Sequence, residues 1–185
     1  FGNERAETRQ AILGEALLND GGYALLESLS DRFGPRMIGT PGHRDAMEAL
    51  ETELRNLGLK TKRQRFRYPG WVRGDSTARI LHPLNRVLRV AELGYAHGTQ
   101  RKEGNIVYVD SSKIADLDGT DLNGSILLLK PNVKFNQKDS HALRERGVRG
   151  ALLINRVNGG QLLARVANHD GEEPPFPMLS ITQEE

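Results

Sequence analysis

No cysteine occurs in the chain. That excludes a disulfide framework, a thiolate metal site and a cysteine nucleophile together, and leaves the redox compartment unread. No apolar run approaches the ~20 residues that cross a bilayer. An excess of one charge is missing too: 26 Lys and Arg stand against 24 Asp and Glu, a net +2, and a balance that close does not mark a nucleic-acid binder. Neither an internal repeat nor a low-complexity tract is present. No signal-peptide pattern is found, and the start at Phe1 instead of Met leads us to expect that an upstream segment has been removed. Catalytic signatures are also lacking. There is no G-x-S-x-G elbow, and Gly119, Gly124 and the pair Gly159-Gly160 match neither nucleotide-binding fingerprint.

What is present reads as a globular protein. Of 185 residues, 37% are hydrophobic and 20 are Gly, enough for one good core or two small ones sharing an interface. The sequence is organised around residues 34–59, a loop set by Gly and Pro that leads into an amphipathic helix. Upstream, Asn3 is placed to cap a first helix carrying Ile12, Leu13, Ala16 and Leu17 on one stripe. After the break at Asn19-Asp20-Gly21-Gly22, a second helix carries Tyr23, Leu26, Leu29 and Phe33. Gly34 sits at its C-terminal cap, and Pro35 prevents continuation. Thr40-Pro41 reads as an N-cap followed by proline at the first helical position. Met47, Leu50, Leu54 and Leu57 form the expected buried stripe of the third helix, Glu51 and Arg55 pair on its outside, and Gly58 caps it.

Residues 60–68 are expected to form an edge strand whose basic side chains discourage aberrant pairing. A boundary near Pro69 then separates the helical part, 1–69, from a β-rich part, 70–185. In the second part, strands are expected at 77–81, 87–93, 105–109, 125–129, 151–154 and 178–181, with one helix at 138–146. Thr182-Gln183-Glu184-Glu185 has the form of a capping box. Either it opens a helix beyond the last residue, so that the chain was cut from a longer protein, or it is a solvated acidic tail.

The five His are scattered. His43-Arg44-Asp45 has an H-x-D spacing, but it falls in the first turns of a helix, where residues two apart point about 200° apart and cannot share an ion. His43 is therefore expected to pack or hydrogen-bond near the helix start. His169-Asp170 can pair locally, and His97 reads as a surface residue in a turn. Lys60, Lys62, Arg63, Arg65, Arg67 and Arg73 lie among Phe66, Tyr68 and Trp71 with no acid between them. Cations with stacking aromatics suit single-stranded nucleic acid, yet no RNA-binding motif accompanies them, and pairing with an acidic neighbour is the preferred reading. No catalytic, cofactor-binding or metal-binding residue is assigned.

Read together, Gly34-Pro35-Arg36, Gly39-Thr40 and Gly58-Leu59 resemble the opening of the zinc-dependent exopeptidases related to plasma glutamate carboxypeptidase and the secreted aminopeptidases. Gly124-Ser125-Ile126-Leu127-Leu128, the run from Leu143 through Gly147 and Gly150 to Ile154, and Pro177 through Glu184 resemble the protease-associated (PA) domain inserted in many members. Trp71 with Arg73-Gly74 is similar to the entry into that insert.

The resemblance implies an α/β peptidase fold, α+β within these residues: N-terminal helices and a first strand, then a β-rich PA-like domain with one or two helices. It further implies two zinc ions in the intact enzyme, held by His, Asp and Glu downstream of the insert, and none in this chain. There a zinc-bound hydroxide would attack a peptide carbonyl near a chain terminus, with the metal as Lewis acid. The PA-like domain would lie over the active site and aid substrate recognition. Peptide substrate and the remainder of the peptidase domain are the implied partners, with room for a homodimer and no role for nucleic acid or a membrane span. The implied location is secreted or periplasmic. A non-catalytic interaction module of PA type is the alternative.

Overall fold

The structure, a computed structural model, describes residues 2–167 and 172–185. The chain falls into two compact units, Phe1–Gly70 and Trp71–Glu185.

The first unit is helical. Helix α1 spans Gly2–Leu18, α2 Gly21–Phe33 and α3 Pro41–Asn56. Asn3 lies inside the first turn of α1 and is not its cap. The loop between α2 and α3 is held by its own residues. The Gly34 amide donates to the Ser30 carbonyl at 3.2 Å, and the Arg36 guanidinium reaches back to the carbonyls of Leu29 and Gly34. Gly42 is required by proximity: a Cβ there would stand 2.8 Å from the Pro35 carbonyl oxygen. Thr40 caps α3 as its position implies, its Oγ1 accepting from the His43 amide at 3.3 Å. At the other end the Leu59 amide donates to the Leu54 carbonyl at 3.0 Å, closing the helix through Gly58 at φ 77°.

Two further expectations for this unit are corrected. The stripe of α3 is not a buried seam: Ala46 is the buried residue of the helix, Leu50 and Leu54 are half-buried, and Met47 and Leu57 are exposed. Helices α1 and α2 likewise leave Ile12, Leu13, Leu17 and Leu26 exposed. Residues 60–68 form no strand. A strand exists through the ladder it shares with a neighbour, and no described segment pairs with this one.

The second unit contains the sheets. β1 (Ala78–Ile80) and β2 (Arg86–Leu88) form an antiparallel hairpin. β3 (Val90–Glu92), β4 (Ile106–Val109), β5 (Ile126–Leu129), β6 (Gly150–Ile154) and β7 (Met178–Ile181) form a five-stranded sheet in the order β3-β7-β6-β5-β4. β4 through β7 are mutually parallel, and β3 closes one edge antiparallel to β7. Residues 87–93, expected as one strand, are divided between β2 and β3, which belong to different sheets. A short 3-10 turn at Ile114–Leu117 was not anticipated.

Helix α4 (Gln137–Glu145) provides the crossover from β5 to β6. Asn136 caps it, accepting from the Asp139 amide at 2.8 Å. The core collects Leu127 and Leu129 of β5, Val109 of β4, Leu143 of α4, Val148 and Phe176. Leu127, Leu143 and Val148 have no exposed surface. Each such aliphatic side chain contributes about 1.5–3 kcal/mol through burial, so the alternation of buried Leu127 and Leu129 with half-buried Ile126 and Leu128 fixes the register of the central strand.

Candidate functional site

Histidine does not converge anywhere in the described residues. His43 Nδ1 accepts from the Gly39 amide at 3.4 Å, completing the turn before α3 as expected of a histidine near a helix start. His97 Nδ1 lies 3.1 Å from Glu173 Oε2, both side chains exposed. His141 Nε2 lies 3.4 Å from Gln137 Nε2, one turn away on α4. The pair His169-Asp170 lies outside the described residues. Among the described residues no three His, Asp or Glu side chains are grouped to hold a metal ion. The donor set therefore does not fit a zinc ion.

The basic run divides between the units. Arg63 and Arg55 both bind the carboxylate of Glu51, and Thr61 Oγ1 donates to it at 3.0 Å. These hydrogen bonds, that from Arg63 foremost, hold the Glu51 carboxyl below the usual carboxylate range. In the second unit the Arg73 guanidinium stacks 4.9 Å from the centroid of Trp71 and donates to the Glu92 carbonyl. Part of the run is thus committed to internal partners, an acid among them.

A cleft of about 450 Å³ lies within the second unit. Three segments wall it, and ordinary chain mechanics bring them together. Arg144 stands in the last turn of α4, and Arg149 directly precedes β6. Arg101 and Lys102 come from the connection into β4, and Pro175, Phe176 and Pro177 form the approach to β7. The last segment is docked through the Ala151 amide, which donates to the Pro177 carbonyl at 3.0 Å. Arg149 Nη1 donates to the Glu103 carbonyl at 2.8 Å, tying the first wall to the second. Phe176 is only 3% exposed, so the apolar side of the cleft is rooted in the core.

Its chemistry is that of an anion-binding cleft. Arg101, Lys102, Arg144 and Arg149 face one lining carboxylate, Glu103, which pairs with Arg101. Such a cleft can attract and orient an anion, but it presents no nucleophile paired with a base. None of these cations was singled out in the sequence. They sit up to 48 positions apart in segments with no shared periodicity, and only the order of β4, β5 and β6 in the sheet brings them together.

No family model matches the chain. It is 28% identical to carboxypeptidase Q of Bos taurus over 109 residues, 57% of this chain and 23% of that protein. It is 31% identical to carboxypeptidase Q of Homo sapiens over 90 residues, 48% of this chain and 19% of that protein. The matched region is thus about a quarter or less of either relative's length.

Solved structures share the fold. A zinc aminopeptidase from Bacillus subtilis superposes with TM-score 0.66 at 18% identity, over 88% of this chain and 38% of the other. A peptidase M28 precursor from Shewanella amazonensis gives 0.64 at 21%, over 95% and 44%. An aminopeptidase from Aneurinibacillus sp. strain AM-1 gives 0.61 at 21%, over 88% and 37%. Similarity of sequence to carboxypeptidase Q and of fold to zinc aminopeptidases point the same way, and the resemblance to the zinc exopeptidase family is borne out.

Proposed function

We propose that these residues are the N-terminal portion of a zinc metallo-exopeptidase, an aminopeptidase or carboxypeptidase that hydrolyses peptide bonds. In this reading residues 1–69 supply the opening helices of the peptidase domain. Residues 70–185 form a PA-like domain that covers the active site and aids substrate recognition. The observation that carries the reading is the fold similarity to a zinc aminopeptidase over 88% of this chain but only 38% of the other. The His, Asp and Glu side chains described here do not group, so the hydrolytic centre of such an enzyme would be supplied by other residues. A secreted or periplasmic location, a peptide substrate and a homodimer belong to the same proposal. No helix among the described residues is long and apolar enough to cross a membrane.

The test is direct. The 185-residue chain, assayed with aminoacyl and carboxypeptidase substrates and titrated with zinc, is expected to hydrolyse nothing and to bind no stoichiometric metal. Activity or a tight zinc site in these residues would overturn that division of labour. The reading frame past residue 185 is expected to encode a His-x-Asp motif and later paired Glu residues. A stop codon there would favour the second reading, a non-catalytic interaction module of PA type. That reading draws support from the buried core of the second unit, whose described members all lie between Val109 and Phe176.

A further inference from the structure

We propose that the cleft between the 97–103 segment, the end of α4 and residues 175–177 is a binding site for an acidic peptide segment. It would take a carboxylate, from an Asp or Glu side chain or a chain terminus, together with a neighbouring apolar side chain. The first support is charge. Arg101 is paired with Glu103, and the side chains of Lys102 and Arg144, both exposed residues, have no hydrogen-bond or ion-pair partner among the described residues. Arg149 uses one N–H on the Glu103 carbonyl, which fixes its guanidinium at the cleft wall, and the rest of its fork has no partner among the described residues. Gathering like charges is unfavourable until an anion enters, and the planar guanidinium fork matches a carboxylate through two parallel hydrogen bonds.

Shape supplies the second support. About 450 Å³ lies in the range of small-ligand sites and admits a few residues of peptide. Pro175 and Pro177, both half-buried, line one side, so an apolar group beside the carboxylate gains by burial. Single-stranded nucleic acid fits worse, because it needs aromatic faces on which bases stack, and Phe176 is 3% exposed.

The test titrates the 185-residue chain with N-acetyl-Phe-Asp bearing free carboxylates and with its neutral counterpart N-acetyl-Phe-Asn-amide, read by calorimetry and by amide NMR shifts. The acidic peptide is expected to bind about tenfold or more tightly than the neutral one, and to weaken as salt is raised. Arg144→Ala and Lys102→Ala should each lose most of that preference, while Lys113→Ala, outside the cleft, keeps it. Arg144→Lys should retain part, because charge remains and the fork does not. Thermal melts of every variant verify folding, which neither exposed side chain supports. Four results overturn the proposal: no binding of the acidic peptide at millimolar concentration, equal binding of the neutral peptide, unchanged binding in Arg144→Ala, or preferential binding of inorganic phosphate or oligothymidylate. Because the readout is binding by this chain, it is independent of whether a longer protein hydrolyses peptides.

Discussion

Glu184 and Gly160, 24 positions apart, are joined by a 2.9 Å hydrogen bond from the glycine amide to carboxylate Oε1. The same oxygen accepts from the Gly159 amide at 2.9 Å. Both glycines are left-handed, at φ 81° and 67°, and successive amides turned this way form a concave anion receptor. The end of the chain thus fills a receptor made by the turn after β6. Glu185, three residues after Thr182, has the position of the acid in the capping box, and its carboxylate pairs with Arg86 at 3.0 Å.

That contact sets a pH dependence. The Gly160 hydrogen bond, followed by other hydrogen bonds to the carboxylate, lowers the Glu184 pKa from its ordinary 4.5. A carboxyl whose folded-state pKa is lowered contributes stability above its unfolded value and loses it as pH falls through the folded value. Glu184→Gln should therefore melt below the parent at pH 7, and the gap in Tm should close as both are taken from pH 5 towards pH 3. A gap that is constant over this range would show that charge on Glu184 contributes nothing.

The glycines separate steric from conformational cost. Gly104 shows no positive φ, yet a Cβ there would lie 2.1 Å from the Gly124 carbonyl oxygen, at the entry to β4. Gly159 has positive φ but open space around it. We expect Gly159→Ala to cost about 1–2 kcal/mol, the penalty of the left-handed conformation, and Gly104→Ala to cost more, about 3 kcal/mol or above, because two backbone segments must part. Urea denaturation of the two variants orders them, and the reverse order would refute the steric argument.

Local signals were legible wherever one residue controls one backbone feature. Thr40, Pro41 and Gly58 specify the ends of α3, and β5, α4, β6 and β7 lie close to their expected bounds. What the sequence hid depends on partners. The stripe Met47, Leu50, Leu54, Leu57 has helical spacing, but spacing says nothing of what covers it, and Met47 and Leu57 are exposed. Residues 60–68 have strand-like composition without a ladder. The cleft was invisible for the same reason, since Lys102, Arg144 and Arg149 meet only through the strand order.

The same contrast predicts where truncation hurts. Leu143 is fully buried in the core of the second unit, whereas Leu17 is 81% exposed on α1. Leu143→Ala should cost about 2–5 kcal/mol, and Leu17→Ala should stay within about 0.5 kcal/mol of the parent. Chemical denaturation followed through Trp71 and far-ultraviolet circular dichroism would read both. A comparable loss at Leu17 would mean that α1 is covered in solution.

Glu51 gives the last prediction. Its carboxylate is shared by Arg55, one helical turn on, by Arg63 beyond the helix, and by the Thr61 hydroxyl. Hydrogen bonding from Arg63 is the largest cause of its lowered pKa and that from Thr61 the next, while Arg55 acts more weakly through its charge. Arg63→Ala should therefore return the Glu51 titration towards the ordinary 4.5 more completely than Arg55→Ala does. Both arginine side chains are well exposed, at 60% and 63%, so salt should weaken the two effects alike while preserving their order. Carbon-detected NMR titration of the Glu51 carboxyl in the two variants measures this. If Arg55→Ala gave the larger rise, the helical i,i+4 pair and not the contact across residues 57–62 would be what holds the charge.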